Sequence, residues 1–450
     1  MALKKDGGAM SKHTRRRILA TAAGTGGAAL AACVPGQPPG SAPAASKEPA
    51  TIRWSTYGTS TDPMVQAVEQ GLALFKLQHP HVTVEPEPQA PGWQEKNLSQ
   101  WLAGTGPDVS GAVNQFLPTW SRKGLLVILD SLVKRDFTAK QIQDYAEFQW
   151  KFFSTERGQH ALPMFLATAG LGYNKDIFRR AGVAFPDDTW DWQKQLDAAV
   201  KLTDVSAGLF GLNLATAIPR LNERIVQNGG WIADPNDDTK CLMDQPAALE
   251  ALQWVHDRIW RQNVAPQPPQ RGSANMMREG KAAMWEQGGW DVIRFSRDVG
   301  DGFEWDVSVY PRNKLRGTVA TTDGWGIWVG TKGQDACWQL LKFLQTDEWN
   351  DVMIRVTGNA PARKSLSDKW IRSLKASTPK LGDKNLAAFV DGMTKAYARP
   401  NAVFRFDDEV RPDLTQALQR TLDRNEAPLA DTIRSAVAAV NAKLKQLSDK

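Results

Sequence analysis

The sequence has few of the residues that build disulfide frameworks, metal sites or catalytic dyads. Its 450 residues include 3 cysteines and 5 scattered histidines, so a disulfide scaffold and a zinc site are not expected. It has no H-E-x-x-H, C-x-x-C or G-x-S-x-G motif, and Gly280-Lys281 is followed by alanine without the glycine-rich lead of a phosphate loop. We therefore expect no metal, no cofactor and no catalysis, and we expect Cys241 and Cys337 to be buried thiols.

Long apolar runs are also missing, because the Gly/Ala-rich stretch near the N-terminus is too short to span a bilayer. That stretch follows a basic run and leads through small residues to Cys33, an arrangement typical of an export signal. The run T-R-R-R-I-L at positions 14–19 resembles a twin-arginine export motif, and L-A-A-C at 30–33 resembles a bacterial lipobox. We predict a signal peptide over residues 1–32 and lipidation of Cys33.

Behind Cys33, residues 33–50 are rich in proline and glycine and lack apolar periodicity, which is typical of a tether. We therefore predict a protein anchored by lipid to the outer face of the bacterial cell membrane, or on its periplasmic side. The alternative is an ordinary cleaved peptide in which Cys33 is incidental.

An excess of positive charge is missing from the body of the chain. The formal net charge is +6, but six basic residues and one acidic residue of the leader account for five of those charges. The remainder is nearly neutral, whereas a protein that binds nucleic acid needs a basic face to neutralise phosphates. We expect no nucleic-acid partner.

Tryptophan is abundant by contrast, with 18 tryptophans against 5 tyrosines. Most tryptophans are expected in the core, but Trp231, Trp285, Trp290 and Trp325 are flanked by glycines. A flat ring held on a turn can stack against the C–H face of a sugar while polar neighbours bind its hydroxyl groups. These four positions are therefore candidate binding platforms.

The apolar pattern alternates between strand and helix periods. A strand pattern at Ile52 and Trp54 changes to a helical one at Asp62-Pro63, a cap followed by proline. A second helix is predicted from Trp93 to Ala103, and strand patterns return late, at 282–285, 305–310 and 318–329. Repeated alternation predicts an α/β fold, and the late strands indicate that the chain returns to its first domain.

From Leu162 the chain reads LPMFLATAGLGYNKDIFRRAGV, and FPDDTWDW follows up to Trp192. This closely resembles the signature of the extracellular solute-binding proteins, family 1, which are similar to maltose-binding protein and feed bacterial ABC importers of sugars and oligosaccharides. Further matching segments occur in the expected order at 106–109, 280–284, 323–326 and 359–363.

The resemblance implies a two-lobed, type II periplasmic-binding-protein-like fold, in which each lobe is a mixed sheet flanked by helices and the ligand lies between the lobes. It implies a first lobe of residues 51–166 plus 311–357 and a second of 167–310 plus 358–450, with a hinge near 165–170. It also implies a monomer that captures a sugar or oligosaccharide and delivers it to a membrane ABC permease.

Binding positions are also implied by the resemblance. The first lobe is expected to contribute the loop after the first strand, the segment after Asp108 and the returning strand, and the second lobe the glycine-flanked tryptophans. The expected ligand-binding residues are Tyr57, Thr59, Asn114, Gln115, Trp231, Trp285, Trp290, Asp323, Trp325 and Arg363. Gly58 and Asn114 are open to a second interpretation, as turn residues.

Two other functions stay open on the sequence alone. A secreted carbohydrate-active hydrolase or lyase would also line a cleft with tryptophan, and it would need two carboxylates beside the scissile bond. The same fold could instead bind a phosphorylated polyol or another anionic solute, with Arg363 as the anion partner.

Overall fold

A computed structural model of the chain describes residues 48–58, 62–89, 92–113, 116–268, 274–395, 398–400 and 402–449. The predicted signal peptide, Cys33 and most of the tether lie outside the described residues, as do Thr59, Asn114 and Gln115.

The strands fall into two main sheets and two short hairpins. Their bounds are β1 (Ala50–Tyr57), β2 (Val82–Gln89), β3 (Val109–Val113), β4 (Ser154–Thr155), β5 (Gly158–Gln159), β6 (Ala161–Ala167), β7 (Ala169–Asn174), β8 (Phe210–Asn213), β9 (Ala233–Asp234), β10 (Asp237–Cys241), β11 (Ala282–Gly288), β12 (Trp305–Ser308), β13 (Thr318–Ile327) and β14 (Ala398–Pro400).

Helices cover both main sheets. Their bounds are α1 (Pro63–Gln78), α2 (Trp93–Leu102), α3 (Leu117–Arg122), α4 (Asp130–Asp136), α5 (Ala139–Gln143), α6 (Glu147–Phe152), α7 (Lys175–Ala181), α8 (Trp192–Leu202), α9 (Ile218–Gln227), α10 (Pro246–His256), α11 (Ala274–Arg278), α12 (Val292–Val299), α13 (Gln334–Phe343), α14 (Asp347–Thr357), α15 (Ser367–Ser377), α16 (Ala387–Thr394), α17 (Asp407–Leu418) and α18 (Leu429–Ser448). None of the helices in the described ranges is both long and apolar enough to cross a membrane.

The first main sheet has the order β14-β13-β3-β1-β2, with β6 paired to β13. Strands β1, β2 and β3 are parallel, and β13 runs antiparallel to β3 and β6. The switch from strand to helix occurs where the sequence predicts it, because the Asp62 side chain accepts a hydrogen bond from the Met64 amide at 2.8 Å and caps α1. Of the three late strands, β13 returns to the first sheet as predicted, whereas β11 and β12 lie in the second sheet.

The second main sheet has the order β12-β7-β11-β8. Strand β11 is parallel to β8 and antiparallel to β7, and β12 is also antiparallel to β7. We call the first sheet with the elements packed on it the first lobe, and the second sheet with its packed elements the second lobe.

Each lobe has its own apolar core. In the first lobe Trp54 and Trp325 meet edge to face, with ring centroids 5.0 Å apart. In the second lobe the apolar faces of α9, α10, α17 and α18 pack in one buried cluster with residues of β7, β8 and β11. Cys241 and Cys337 are buried free thiols as predicted, and burial raises the pKa of each thiol to about 12.

The first and second main sheets are connected where β6 of the first sheet ends and β7 of the second sheet begins. Thr168 alone separates the end of β6 from the start of β7, and the Thr318 hydroxyl at the start of β13 donates to the Ala169 carbonyl at 3.0 Å. Residues 398–400, which we predicted within the second lobe, pair with β13 in the first sheet and form another crossing. The segment predicted as a hinge thus coincides with a direct crossing between the sheets.

Candidate functional site

The carboxyl edges of the two sheets meet at these crossings. In the first lobe the ends of β1, β2, β3 and β6 share one edge, because Tyr57 pairs with Gln89 and Asp323 pairs with both Val113 and Phe165. In the second lobe β8, β11 and β12 end, and β7 begins, at the edge that Thr168 links to β6. Ligands of α/β proteins bind beyond the carboxyl ends of strands, so this junction is the candidate site.

The first-lobe edge carries several of the predicted residues. Asp323 is buried on β13, directly opposite Phe165 of β6, at an irregularity in the pairing. Gly58 has a φ of 87°, and a Cβ there would lie 2.5 Å from the Asp62 side chain, so the turn interpretation of Gly58 is confirmed. Tyr57 ends β1 at this edge, although its side chain lies outside the described atoms.

The second-lobe edge carries charged residues that the sequence analysis missed. Arg220, in the first turn of α9, forms an ion pair with Glu286 of β11, and its guanidinium carbon lies 4.9 Å from the centroid of the Trp290 ring. The side chains of Arg220 and Glu286 are 26% and 21% exposed. These three residues therefore form a partly exposed polar layer at the edge of the sheet.

A second, buried layer of polar residues packs beneath the partly exposed layer. Arg220 also lies 3.6 Å from the Glu223 carboxylate, and the guanidinium carbon of Arg224 lies 5.5 Å from the Tyr310 ring centroid. Burial, and then the negative charge of Glu286, raises the pKa of Glu223 to about 8, and burial raises the pKa of Glu286. We call Arg220, Glu223, Arg224, Glu286, Trp290 and Tyr310 the edge cluster.

A cavity lies between the lobes, separate from the edge cluster. It has a volume of about 420 Å³, within the usual range for ligand pockets. We call it the interlobe pocket, and it is lined by Leu117, Pro118, Ser121, Arg122, Phe152, Ser154, Thr155, Glu156, Arg157, Asp238, Val403, Arg405, Phe406, Leu447 and Ser448. Its walls combine aromatic rings with charged groups.

Arg122 bridges this pocket from α3 of the first lobe to the second. Its guanidinium carbon lies 4.2 Å from the centroid of the Phe406 ring, which belongs to the second-lobe core. The same side chain donates to the Arg405 carbonyl and lies 3.8 Å from the Asp408 carboxylate. Arg122 therefore connects the lobes across the pocket.

Two of the predicted platforms are core residues. Trp285 is 1% exposed and packs on Phe295, with ring centroids 5.1 Å apart, and Trp325 is 0% exposed against Trp54. Both lie within strands that are covered on both faces, so their rings do not present a flat surface. This packing corrects our expectation that these two rings form binding platforms.

Arg363 is also differently placed from our expectation. Its guanidinium forms ion pairs with Asp144, at 3.0 Å, and with Asp347. The negative charges of those carboxylates raise the pKa of Arg363 against the opposing effect of burial. Arg363 thus connects neighbouring elements through ion pairs and is poorly placed to bind an anion.

Trp231 is half-buried, and its contact with a ligand stays a prediction.

The missed residues left one signal in the sequence. Glu286 is the single acidic residue in the otherwise uncharged β11 segment A-A-M-W-E-Q-G. Because strand side chains alternate in direction, a buried Trp285 implies that Glu286 points to the opposite face. No group of three or more His, Cys, Asp or Glu in the described ranges is arranged to hold a metal ion.

Comparison with known families gives a match over residues 57–351 to the model for the bacterial extracellular solute-binding proteins. A binding protein of Brucella abortus is 23% identical over 355 residues, which cover 75% of this chain and 82% of that relative.

Solved structures are similar over most of both chains. An ABC substrate-binding protein of Listeria monocytogenes, in complex with cycloalternan, superposes with a TM-score of 0.77 at 20% identity and covers 88% of this chain and 100% of its own. A maltose-bound protein of T. maritima has a TM-score of 0.69 at 18% identity and covers 88% and 99%. These similarities confirm the predicted two-lobed α/β fold.

Proposed function

Because the chain belongs to the bacterial extracellular solute-binding proteins, with more than half of its length matched by the family model, we propose that it is the substrate-binding component of an ABC importer for a sugar or oligosaccharide. The junction of the carboxyl edges of the two sheets, beside the crossing at Thr168, is the observation that carries this proposal. It lies between two lobes with separate cores, which is the arrangement that lets a ligand stabilise a closed form.

The lining of the site fits a carbohydrate. In the interlobe pocket Phe152 supplies an apolar face for a sugar ring, and Thr155, Glu156 and Asp238 supply hydroxyl and carboxylate groups for hydrogen bonds. The related Listeria and T. maritima proteins hold cycloalternan and maltose, which supports an α-glucan or a similar oligosaccharide as the ligand class. We propose Trp231 and Asp323 as further contacts, together with Tyr57, Thr59, Asn114 and Gln115 where the chain leaves β1 and β3.

We propose that the lobes are residues 51–166 plus 311–357 and 167–310 plus 358–450, except that residues 398–400 join the first-lobe sheet, and that the hinge is at Thr168. The short crossing at that residue and the hydrogen bond from Thr318 to Ala169 support this division. A permease would then recognise the closed, ligand-bound monomer. Moving the equilibrium from 1:99 to 99:1 in favour of closure takes about 5.5 kcal/mol of differential binding.

The experiment is a thermal-shift and tryptophan-fluorescence screen of residues 51–450 against maltose, maltotetraose and cycloalternan, followed by product analysis. An importer subunit binds the sugar stoichiometrically and releases it uncleaved. A hydrolase or lyase instead converts excess substrate into products. If none of the sugars binds and glycerol phosphate does, the anionic-solute alternative replaces this proposal.

We further propose export by the twin-arginine signal and lipid anchorage through Cys33. A lipoprotein carries two or more chains, and each buried CH₂ contributes about 0.8 kcal/mol to membrane binding. Cys33→Ser should move the full-length protein from the membrane fraction to the soluble extracellular or periplasmic fraction. Retention of the Cys33→Ser protein in the membrane fraction would show that residues 30–33 are not a lipidation signal.

A further inference from the structure

Resting on the proposed carbohydrate-binding function, we propose that Arg220 is the main hydrogen-bond donor that the second lobe presents to the sugar. In this proposal Trp290 and Glu286 are positioning residues that hold the Arg220 guanidinium at the carboxyl edge of the second sheet. The expected ligand is an uncharged saccharide with adjacent hydroxyl groups.

The position of Arg220 follows from the chain path. Strand β8 ends at Asn213, and α9 begins at Ile218, so the first turn of α9 lies just beyond the carboxyl end of a strand in the candidate site. Arg220 lies in that turn, and its side chain is 26% exposed. A long, partly exposed donor at this point can reach a ligand between the lobes.

Trp290 supports the guanidinium rather than offering a free ring to the sugar. Its ring packs on the end of β11 so closely that a Cβ at Gly288 would lie 2.4 Å from it. The guanidinium carbon of Arg220 lies 4.9 Å from the centroid of the same ring, a cation–π contact. The ring is therefore in contact with both the Gly288 backbone and Arg220, which restricts the guanidinium to one position.

The negative charge of Glu286 offsets the positive charge of the Arg220 guanidinium. Arg220 can therefore donate hydrogen bonds without making this edge a binding site for anions. Glu286 forms an ion pair with Arg220, and the planar fork of five N–H donors has more donors than this partner uses. Glu286 holds one end of the fork, and the N–H donors that it does not use can pair with two adjacent sugar hydroxyls.

Two other arginines, Arg224 and Arg363, have partners elsewhere. Arg224, on the same helix, is buried against Trp254 and Tyr310, and Arg363 is held by two carboxylates. Arg220 therefore combines partial exposure, a fixed position and a place at the sheet edge.

The experiment compares Arg220→Met and Arg220→Lys with the control Arg179→Met in residues 51–450. Arg179 also forms an exposed ion pair with a glutamate, Glu304, at 2.6 Å, but it lies on α7, away from the carboxyl edge of the sheet. Isothermal titration with the sugar that the wild type binds best, among maltose, maltotetraose and cycloalternan, should give a Kd that rises about tenfold or more for both Arg220 variants. Arg179→Met should bind as the wild type does.

Arg220→Lys and Trp290→Phe are conservative variants that distinguish loss of the positioned guanidinium from a general loss of folded structure. Arg220→Lys keeps the charge but loses the planar fork, so wild-type affinity in Arg220→Lys would overturn the proposal. Trp290→Phe should retain most of the affinity because it keeps an aromatic face, and Trp290→Leu should not. Should Arg220→Met fail to fold, Glu286→Gln, which keeps the side-chain shape and removes the charge partner, should weaken binding with little change in melting temperature.

The outcomes separate this inference from the proposed function. Sugar binding by the wild type with unchanged Kd in folded Arg220→Met overturns the role of Arg220 and leaves the proposed function standing. Absence of binding to every sugar by the folded wild type overturns both. Tighter binding of a sugar phosphate than of the parent sugar would show that Arg220 acts as an anion partner and would overturn the assignment of an uncharged ligand.

Discussion

Arg122 links the two lobes across the interlobe pocket, and its removal should therefore favour the open form. It contacts Phe406 at 4.2 Å, lies 3.8 Å from Asp408 and donates to the Arg405 carbonyl. All three contacts run from α3 to the segment that begins α17, so opening of the lobes breaks them together. Substitution of Arg122 by alanine removes them only from the closed form.

The size of the effect follows from the exposure of these groups. The Arg122 and Asp408 side chains are 31% and 41% exposed, so the ion pair contributes no more than about 1 kcal/mol, and the cation–π contact a similar amount. Their sum of at most about 2 kcal/mol changes the ratio of closed to open forms by no more than about thirtyfold. Because only the closed form binds with both lobes, the Kd for the sugar should rise by a similar factor.

Small-angle scattering of the unliganded protein checks the first step, and titration calorimetry checks the second. We expect Arg122→Ala to have a larger radius of gyration without ligand and a weaker affinity. Arg179→Ala is the control, because the ion pair of Arg179 with Glu304, at 2.6 Å, lies within the second lobe and does not line the pocket. Unchanged dimensions and affinity in a folded Arg122→Ala variant would refute this reasoning.

Two further predictions concern stability. The pKa of Glu223 is raised to about 8 in the folded protein, so the native state binds an extra proton and stability falls as the pH rises from about 4.5 to 8. Glu223→Gln should flatten that slope in melting curves recorded from pH 5 to 9. Arg363→Ala, which breaks the ion pairs with Asp144 and Asp347, should lower the unfolding free energy in urea by about 1–3 kcal/mol and leave sugar affinity unchanged.

The secondary structure of the first lobe could be predicted because local rules decide it. Asp62 followed by proline marks the start of α1 in the sequence, and the structure has the same cap there. The alternation of Ile52 and Trp54 correctly indicates β1, and both side chains are buried. The order of elements correctly predicted that β13 returns to the first sheet, but the same argument was wrong for β11 and β12, which lie in the second sheet.

The binding surface could not be predicted in the same way, because a glycine beside a tryptophan has two meanings. We interpreted such pairs as rings held on turns. In β11 the Trp285 ring instead packs on a glycine of the neighbouring strand β7, since a Cβ at Gly172 would lie 2.4 Å from the Trp285 indole nitrogen, and in β13 a Cβ at Gly324 would lie 2.7 Å from the Leu162 carbonyl of β6. Close packing against a neighbouring strand and exposure on a turn give the same residue pattern, and only the strand pairing separates them.

For the edge cluster the sequence indicates that a charged partner exists but does not identify it. Glu286 is conspicuous in an uncharged strand, and a carboxylate at a half-buried position requires a partner, so the sequence indicates that a cation lies nearby. It does not indicate which one, because Arg220 reaches Glu286 only through the parallel pairing of β8 with β11, in which Asn213 lies beside Trp285. That register brings the first turn of α9 over the end of β11. The single acid of β11 therefore indicates a nearby cation, and the strand register identifies that cation as Arg220.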